Sequence, residues 1–480
     1  MVGVNGTKRI VIEPVTRVEG HGKVTILLDR DNHVQQTRLH IVEFRGFERF
    51  IQGRPFWEVP VLVQRLCGIC PVSHHLAAAK AMDRIVGGES LSPTAEKMRR
   101  LMHYGQIFQS HALHFFHLCS PDLLFGFDAD PAVRNVVGVA GKYPDLAVQG
   151  VMMRKYGQEI IKVTAGKKIH GTGAIPGGIN KNLSLPERDA LLTDADQMLE
   201  WSRGALTIAK DYTVEHLERL APFGSFDSNH LSLIRQDGAM DLYHGNLRAI
   251  DKDGNRIFDQ VDDQNYLDYI AEEVRSWSYM KFPFIRSIGP ENGWYRVGPL
   301  ARLNTADFID TPEAEAARKE FKAVTKNKPN NMSMAYHWAR MIELLHACEK
   351  IRDLLNDPDL QGTDLVVTGR RRDEAVGLLE APRGTLFHHY KVDKNDQVTM
   401  ANLIVSTTNN NEPMNRAVRK VADDHIAGKP EITEGLLNHV EVAIRAYDPC
   451  LSCATHALGR MPLRVELVDA VGNVIQTRSR

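Results

Sequence analysis

Two Cys-x-x-Cys pairs stand 380 residues apart (450 − 70) in a chain of 480. The first lies in Arg65-Leu66-Cys67-Gly68-Ile69-Cys70, the second in Asp448-Pro449-Cys450-Leu451-Ser452-Cys453. No local turn joins them, so they meet only if folding brings opposite ends of the chain to one point. If they meet, four thiolates surround a single position, which makes a metal site. Thiolates are soft ligands, compatible with zinc, iron–sulfur clusters or a mixed nickel and iron centre. Each pair alone also reads as part of a structural zinc site or as a redox dithiol. Structural zinc, however, usually closes a small local loop. The flanks are also polar in a particular way: Arg65 and His74 attend the first pair, Asp448 and His456 the second. Neighbours of that kind orient thiolates and tune a metal.

Composition narrows the class without naming it. The 59 basic and 60 acidic residues leave a net charge of −1, which gives no broad attraction to nucleic acid or to an anionic membrane. No apolar run approaches the roughly 18 residues of a membrane span. The first residues carry no hydrophobic signal segment, since Ile10-Val11-Ile12 is only strand-length. Six cysteines in this length argue against a disulfide framework and suit a reducing compartment.

The start of the chain reads as β over 9–13, 22–29 and 34–44, with Asp29-Arg30-Asp31-Asn32 as a turn. Helical patterns follow over 55–66 and 73–86, and from Ser92-Pro93-Thr94 through about residue 118. Residues 311–324 and 331–355 are further helices. Residues 398–407 read as strand, and 463–468 with 474–477 as a hairpin turning at Gly472-Asn473. The stretches 180–200 and 361–374 are polar, and neither marks a domain boundary. The expected fold is α+β and predominantly α-helical: one large helical body, 1–456, with small β elements near the termini.

Arg65-Leu66-Cys67-Gly68-Ile69-Cys70 with His74, and Asp448-Pro449-Cys450-x-x-Cys453 with His456, resemble the paired signatures of the nickel–iron hydrogenase large subunit. The resemblance spans the chain. Pro14-Val15-Thr16-Arg17-Val18-Glu19-Gly20-His21 and Glu380-Ala381-Pro382-Arg383-Gly384 are similar to further motifs of that family, in the expected order. Val42-Glu43-Phe44-Arg45-Gly46-Phe47-Glu48 and His388-His389-Tyr390 look closest to the catalytic subunit of the soluble NAD-reducing group.

The resemblance implies a set of roles. Cys67 and Cys450 would be terminal nickel ligands, and Cys70 and Cys453 would bridge nickel to an iron carrying carbon monoxide and cyanide. Glu19, which alone reads as a solvated turn residue, would be the proton acceptor beside a nickel-bound cysteine. Arg383, alone a surface residue of a Pro-Arg-Gly turn, would lie above the metals. Glu48, the Leu403 carbonyl and His456 would hold magnesium. His74 would donate to a bridging sulfur, Thr407 would contact a cyanide, and Asp448 would stand in the surrounding polar shell. Ser110 departs from the pattern, because many members carry aspartate there; the neutral hydroxyl is expected to leave Arg383 less tightly paired. Cys119 and Cys348 sit in apolar helical patterns as packing residues. His111, His114 and His117 recur at i, i+3 and i+6 and read as core or interface histidines. His170 receives no role.

Residues 457–480 resemble the extension that a nickel-dependent maturation endopeptidase removes by cutting between His456 and Ala457, with nickel-insertion factors acting beforehand. The composition fits an ordinary β-hairpin equally well. With four of six cysteines committed, only the isolated Cys119 and Cys348 remain, which make no further cluster to hold iron–sulfur centres, and no Gly-rich dinucleotide fingerprint follows a strand. Electrons would therefore leave through partners: a small subunit with an iron–sulfur cluster and diaphorase subunits carrying flavin and NAD, in the cytoplasm. The implied activity is reversible heterolytic oxidation of dihydrogen coupled to NAD. The alternatives are a deazaflavin- or NADP-linked cytoplasmic hydrogenase and a hydrogen-sensing regulatory one. A structural zinc protein is the fallback, and a metal-free structural subunit is disfavoured by retention of all four cysteines.

Overall fold

The Pro71–Ile85 and Pro93–Leu113 helices form the spine of the computed structural model, which describes residues 8–455 and the strands Arg464–Val468 and Val474–Ser479. Each starts where the sequence supplies a start. Pro71 occupies the first turn, where its missing N–H removes no hydrogen bond. Ser92 caps the second helix by accepting from the Ala95 N–H at 3.2 Å. The two are clamped by Arg99, whose guanidinium takes both oxygens of Asp83 at 2.6 and 2.9 Å. Both partners are buried, so loss of either would strand a charge in the interior.

Around this spine pack the helices Pro144–Ala165, Leu185–Glu215 and Ala335–Leu355, which share the largest apolar cluster. The polar stretch after residue 180 is therefore helical. Its signal is the capping box, in which the Ser184 side chain and Glu187 satisfy each other's backbone N–H groups. The expected helix over 55–66 is broken into two 3-10 turns, Phe56–Glu58 and Val63–Leu66, flanking the short helix Val59–Leu62. The helix beginning at Pro93 ends at Leu113 and continues as one wide turn, His114–Cys119.

The β structure is more central than the sequence suggests. An antiparallel sheet of Lys8–Ile12, Gly22–Leu28 and Val34–Ile41 lies near the start, as expected. A four-stranded sheet then joins Asn229–Ile234, Asn246–Ile250 and Arg256–Val261 to the short parallel strand Tyr295–Arg296. Most of Asn229–Ile234 is buried, so it lacks the polar/apolar alternation that reveals a half-exposed strand. The antiparallel sheet of Glu374–Ala381, Gly384–Val392 and Val398–Ile404 packs on the Pro71–Ile85 helix. Its last strand stops at Ile404, and Thr407 lies in the helical turn Ser406–Asn409, not at a strand end. Arg464–Val468 and Val474–Ser479 pair antiparallel; Gly472 and Asn473 lie outside the described residues. Among the described residues, no helix is long and apolar enough to cross a membrane.

Several histidines are enclosed by this packing. Burial pushes His75, His103 and His111 down to about 4. Their folded values lie below the ordinary 6.5, so between those two pH values the unfolded chain binds protons that the folded chain excludes. Stability is expected to fall as pH drops through that window. The midpoint of urea unfolding, compared at pH 7 and pH 5, checks this, and an equal midpoint at the two values would refute it.

Candidate metal centre

All four cysteines of the two pairs converge. Cys67 Sγ lies 3.2 Å from Cys450 Sγ, Cys70 Sγ lies 3.7 Å from Cys453 Sγ, and Cys450 Sγ lies 2.8 Å from Cys453 Sγ. The four sulfurs lie within 4.8 Å of one another, and all four cysteines are buried with free thiols. The first pair hangs between the Val63–Leu66 turn and the Pro71–Ile85 helix. The second follows the Glu434–Ala446 helix.

Their protonation shows why a cation suits this place. The thiols of Cys450, Cys453 and Cys67 hydrogen-bond to Cys70 and hold it well below its ordinary value, with His74 adding to the effect. Burial pushes Cys450 and Cys453 well above theirs. Four thiols this close cannot all ionise without positive charge between them, and a metal cation is what resolves the conflict. The donor set is all sulfur, so it selects a soft transition metal over a hard cation.

Two charged groups from other parts of the chain complete the centre. Glu19 runs beside Cys450 as a parallel bridge. Its carboxylate Oε2 lies 3.0 Å from the Cys450 thiol and 3.1 Å from the Ser452 N–H. Gly20 makes that approach possible: its φ is +81°, and a Cβ there would stand 2.6 Å from the Ser452 nitrogen. Beyond Glu19 the polar chain continues outward. The Ser452 hydroxyl donates to Glu43 Oε2 at 3.0 Å, and the other Glu43 oxygen meets His21, an exposed residue. Sequence reasoning misses Ser452 and Glu43 as site residues, because each becomes relevant only when 43 and 452 are brought together.

Arg383 comes from the turn between Glu374–Ala381 and Gly384–Val392. Its Nε donates to the Asp448 carbonyl at 2.5 Å and its Nη2 to Asp448 Oδ1 at 3.0 Å. Ser110 Oγ lies at the hydrogen-bond limit, 3.5 Å from Nη1. The expected loosening at Ser110 is thus offset by Asp448, a full ion pair, buried on both sides. Burial works against the guanidinium's charge, but Asp448 and the thiols hold it well above its ordinary range. Burial pushes the Asp448 carboxyl up to about 6, with Arg383 and Arg340 opposing.

The other expected residues fall into place unevenly. Thr407 accepts from the Cys450 N–H at 2.9 Å. His74 reaches Cys70 and also meets His388 at 3.1 Å. Glu48 is buried and accepts from the Leu403 N–H at 2.9 Å, with the Lys281 ammonium 3.7 Å away. His456 and Ala457 lie outside the described residues. Cys119 and Cys348 are buried apart from the four-sulfur cluster. His111 and His114 turn to Glu343 and the Arg445 carbonyl respectively, as core histidines do. His170 takes an unexpected position: its Nε2 meets the Cys67 carbonyl at 3.0 Å.

Comparison with known proteins bears on what this centre is. Residues 45–134 and 223–456 match the family model described as nickel-dependent hydrogenase, and residues 9–44 match one described as HoxL-like. The chain belongs to the nickel-dependent hydrogenase family. It is a nickel–iron hydrogenase by that membership and by its donors. It is 50% identical to the NAD-reducing hydrogenase HoxS subunit beta of Cupriavidus necator, over 99% of this chain and 100% of that one. It is 42% identical to an F420-non-reducing hydrogenase chain of Methanothermobacter thermautotrophicus, over 98% and 99%. A solved NAD+-reducing nickel–iron hydrogenase in the H2-reduced state superposes with a TM-score of 0.92 at 56% identity, covering 94% of this hydrogenase and 99% of that chain. The nickel–iron–selenium hydrogenase of D. vulgaris Hildenborough shares the fold, with a TM-score of 0.77 at 22% identity.

Proposed function

We propose that the chain is the catalytic subunit of a cytoplasmic nickel–iron hydrogenase that passes electrons from dihydrogen, through partner subunits, to NAD. The observation that carries this reading is the meeting of Cys67, Cys70, Cys450 and Cys453 at one point, with the Glu19 carboxylate against Cys450 and the Arg383 guanidinium close enough to feel the thiols. The NAD coupling is supported by likeness to the C. necator protein and to the solved NAD+-reducing hydrogenase. The 42% identical relatives named as not reducing F420 weigh against a deazaflavin-linked enzyme.

When bound, a nickel–iron centre supplies the heterolytic splitting of dihydrogen. The chain's own residues do the rest. Cys67 and Cys450 are the proposed terminal nickel ligands, and Cys70 and Cys453 the bridging ones. Glu19 takes the proton that arrives at Cys450 Sγ, since its Oε2 is already within hydrogen-bond reach. Ser452 meets that carboxylate through its backbone N–H and Glu43 through its hydroxyl, and Glu43 in turn meets the exposed His21. Arg383, held by Asp448, keeps a fixed positive charge against the thiolates. Arg383 and Thr407 are the proposed hydrogen-bond partners of the cyanide ligands on an iron that also carries carbon monoxide, and His74 orients Cys70. Glu48, the Leu403 carbonyl and His456 are the proposed magnesium ligands; the Leu403 N–H donates to Glu48, so these two residues are neighbours.

Electrons need another carrier. Only Cys119 and Cys348 lie outside the two pairs, so a small subunit with an iron–sulfur cluster and a diaphorase module with flavin are the proposed partners. Residues 457–480 are proposed to be removed after nickel insertion by an endopeptidase cutting between His456 and Ala457. Two facts support this: the family match ends at 456, and the solved relative is covered to 99% by 94% of this chain.

The test is elemental analysis and intact mass on one purified sample, with hydrogen-dependent NAD reduction measured on the copurified assembly. About one nickel and one iron per chain, a mass short by 24 residues (480 − 456), and NAD reduction are expected. Zinc alone would refute the reading.

A further inference from the structure

One guanidinium grips the turn that carries Arg383. Arg302, on the Pro299–Thr305 helix, is fully buried. Its Nε and Nη2 take both oxygens of Glu343, the latter at 2.6 Å. Its Nη1 donates to Glu380 Oε2 at 2.6 Å and to the Ala381 carbonyl at 3.0 Å, and Nη2 also reaches the Pro382 carbonyl at 3.3 Å. The two peptide oxygens immediately before Arg383 are therefore held by a single side chain.

The grip extends to the other limb of the turn. Glu380 Oε1 accepts from the Thr385 hydroxyl at 2.7 Å and from the Leu233 N–H at 2.8 Å. Gly384 has a φ of +140°, and a Cβ there would stand 2.2 Å from Val297 Cγ2. Its carbonyl accepts from the Ser406 hydroxyl at 2.7 Å. On the far side, His111 meets Glu343 at 2.9 Å. His111 adjoins Ser110, the hydroxyl at the edge of the Arg383 guanidinium. Arg302 thus ties the turn to the helix that walls the site.

Buried ion networks are poor stabilisers relative to apolar packing, and their better-attested use is to fix one geometry. A guanidinium suits that use because its donors form a rigid planar fork, which an ammonium lacks. We propose that Arg302 is a positioning residue for Arg383: through Glu380 and the carbonyls of Ala381 and Pro382 it holds the turn so that the Arg383 side chain lies between Asp448 and Ser110. The inference rests on the reading of Arg383 given above.

A substitution cycle in the assembled enzyme tests it. Arg302→Lys keeps the charge and removes the fork. Its kcat is expected to fall roughly 10- to 100-fold, the scale of a small misplacement, with KM for hydrogen and nickel content unchanged. That loss should vanish when Arg383 is already lysine, so that the double variant is no slower than Arg383→Lys alone. Amide hydrogen exchange gives a reading independent of turnover: faster exchange should be confined to the peptide around 380–385. If Arg302→Lys does not accumulate folded, Glu380→Gln, which keeps the side-chain shape, carries the same cycle. Losses that multiply in the double variant overturn the positioning role, as does undiminished turnover or faster exchange throughout the chain. Undiminished turnover in Arg383→Lys itself sinks the reading of Arg383 and this proposal with it. A slow Arg383→Lys with an independent Arg302 effect sinks the proposal alone.

Discussion

Cys450→Ser is expected to give a folded chain without nickel and with hydrogen turnover reduced by at least about 100-fold. The Cys450 sulfur stands 3.2 Å from Cys67, 2.8 Å from Cys453 and 3.0 Å from Glu19. On the proposed assignment it serves both the donor set and the proton route. Serine fills nearly the same space, so the core around it should persist. Its hydroxyl does not ionise in this range, and its oxygen is a hard donor where the other three are soft. The Thr407 contact survives, because Thr407 binds the backbone N–H of residue 450. Cys119→Ala supplies the control: Cys119 is buried and its thiol hydrogen-bonds the Phe115 carbonyl, apart from the four-sulfur cluster. It should keep its nickel. Nickel analysis with circular dichroism on both variants decides the matter, and full nickel in Cys450→Ser would break the ligand assignment.

Glu19→Gln carries the second large effect. Glutamine keeps an oxygen for the Ser452 N–H but can no longer gain and lose a proton. Proton exchange with solvent and hydrogen turnover should each fall by about 10²- to 10⁴-fold, the usual contribution of a positioned acid or base. Nickel content should not change, since Glu19 contacts a sulfur and not the donor set as a whole. The hydrogen–deuterium exchange activity of the purified enzyme reads this directly. An unaltered exchange rate would remove Glu19 from the route.

Much of the fold is legible where a local signal marks it. Ser92-Pro93 announces the Pro93–Leu113 helix because the cap and the proline act within one turn. The Leu185–Glu215 helix is harder to see: its polarity hides the apolar stripe, and only the capping box at Ser184 and Glu187 betrays it. The buried strand Asn229–Ile234 escapes because both faces are covered and alternation is lost. Thr407 reads as strand by composition, yet the backbone turns helical at Ser406. Tertiary packing overrides so weak a preference.

At the site, the sequence by itself determines the chemistry: four thiols in two pairs, a carboxylate before Gly20, a guanidinium in Ala381-Pro382-Arg383-Gly384. Those groups and their order suffice to place the chain in its family, because donor type and motif spacing are local properties. Which groups touch is decided only by the tertiary structure. Asp448 is the charge partner of Arg383 where Ser110 offers only a hydroxyl. Ser452 and Glu43 extend the line from Glu19, His170 meets the Cys67 carbonyl, and Arg302 holds the turn from more than 75 residues away. The separation of such residues is set by the summed packing of every helix and strand between them, and no local pattern in the chain encodes that sum.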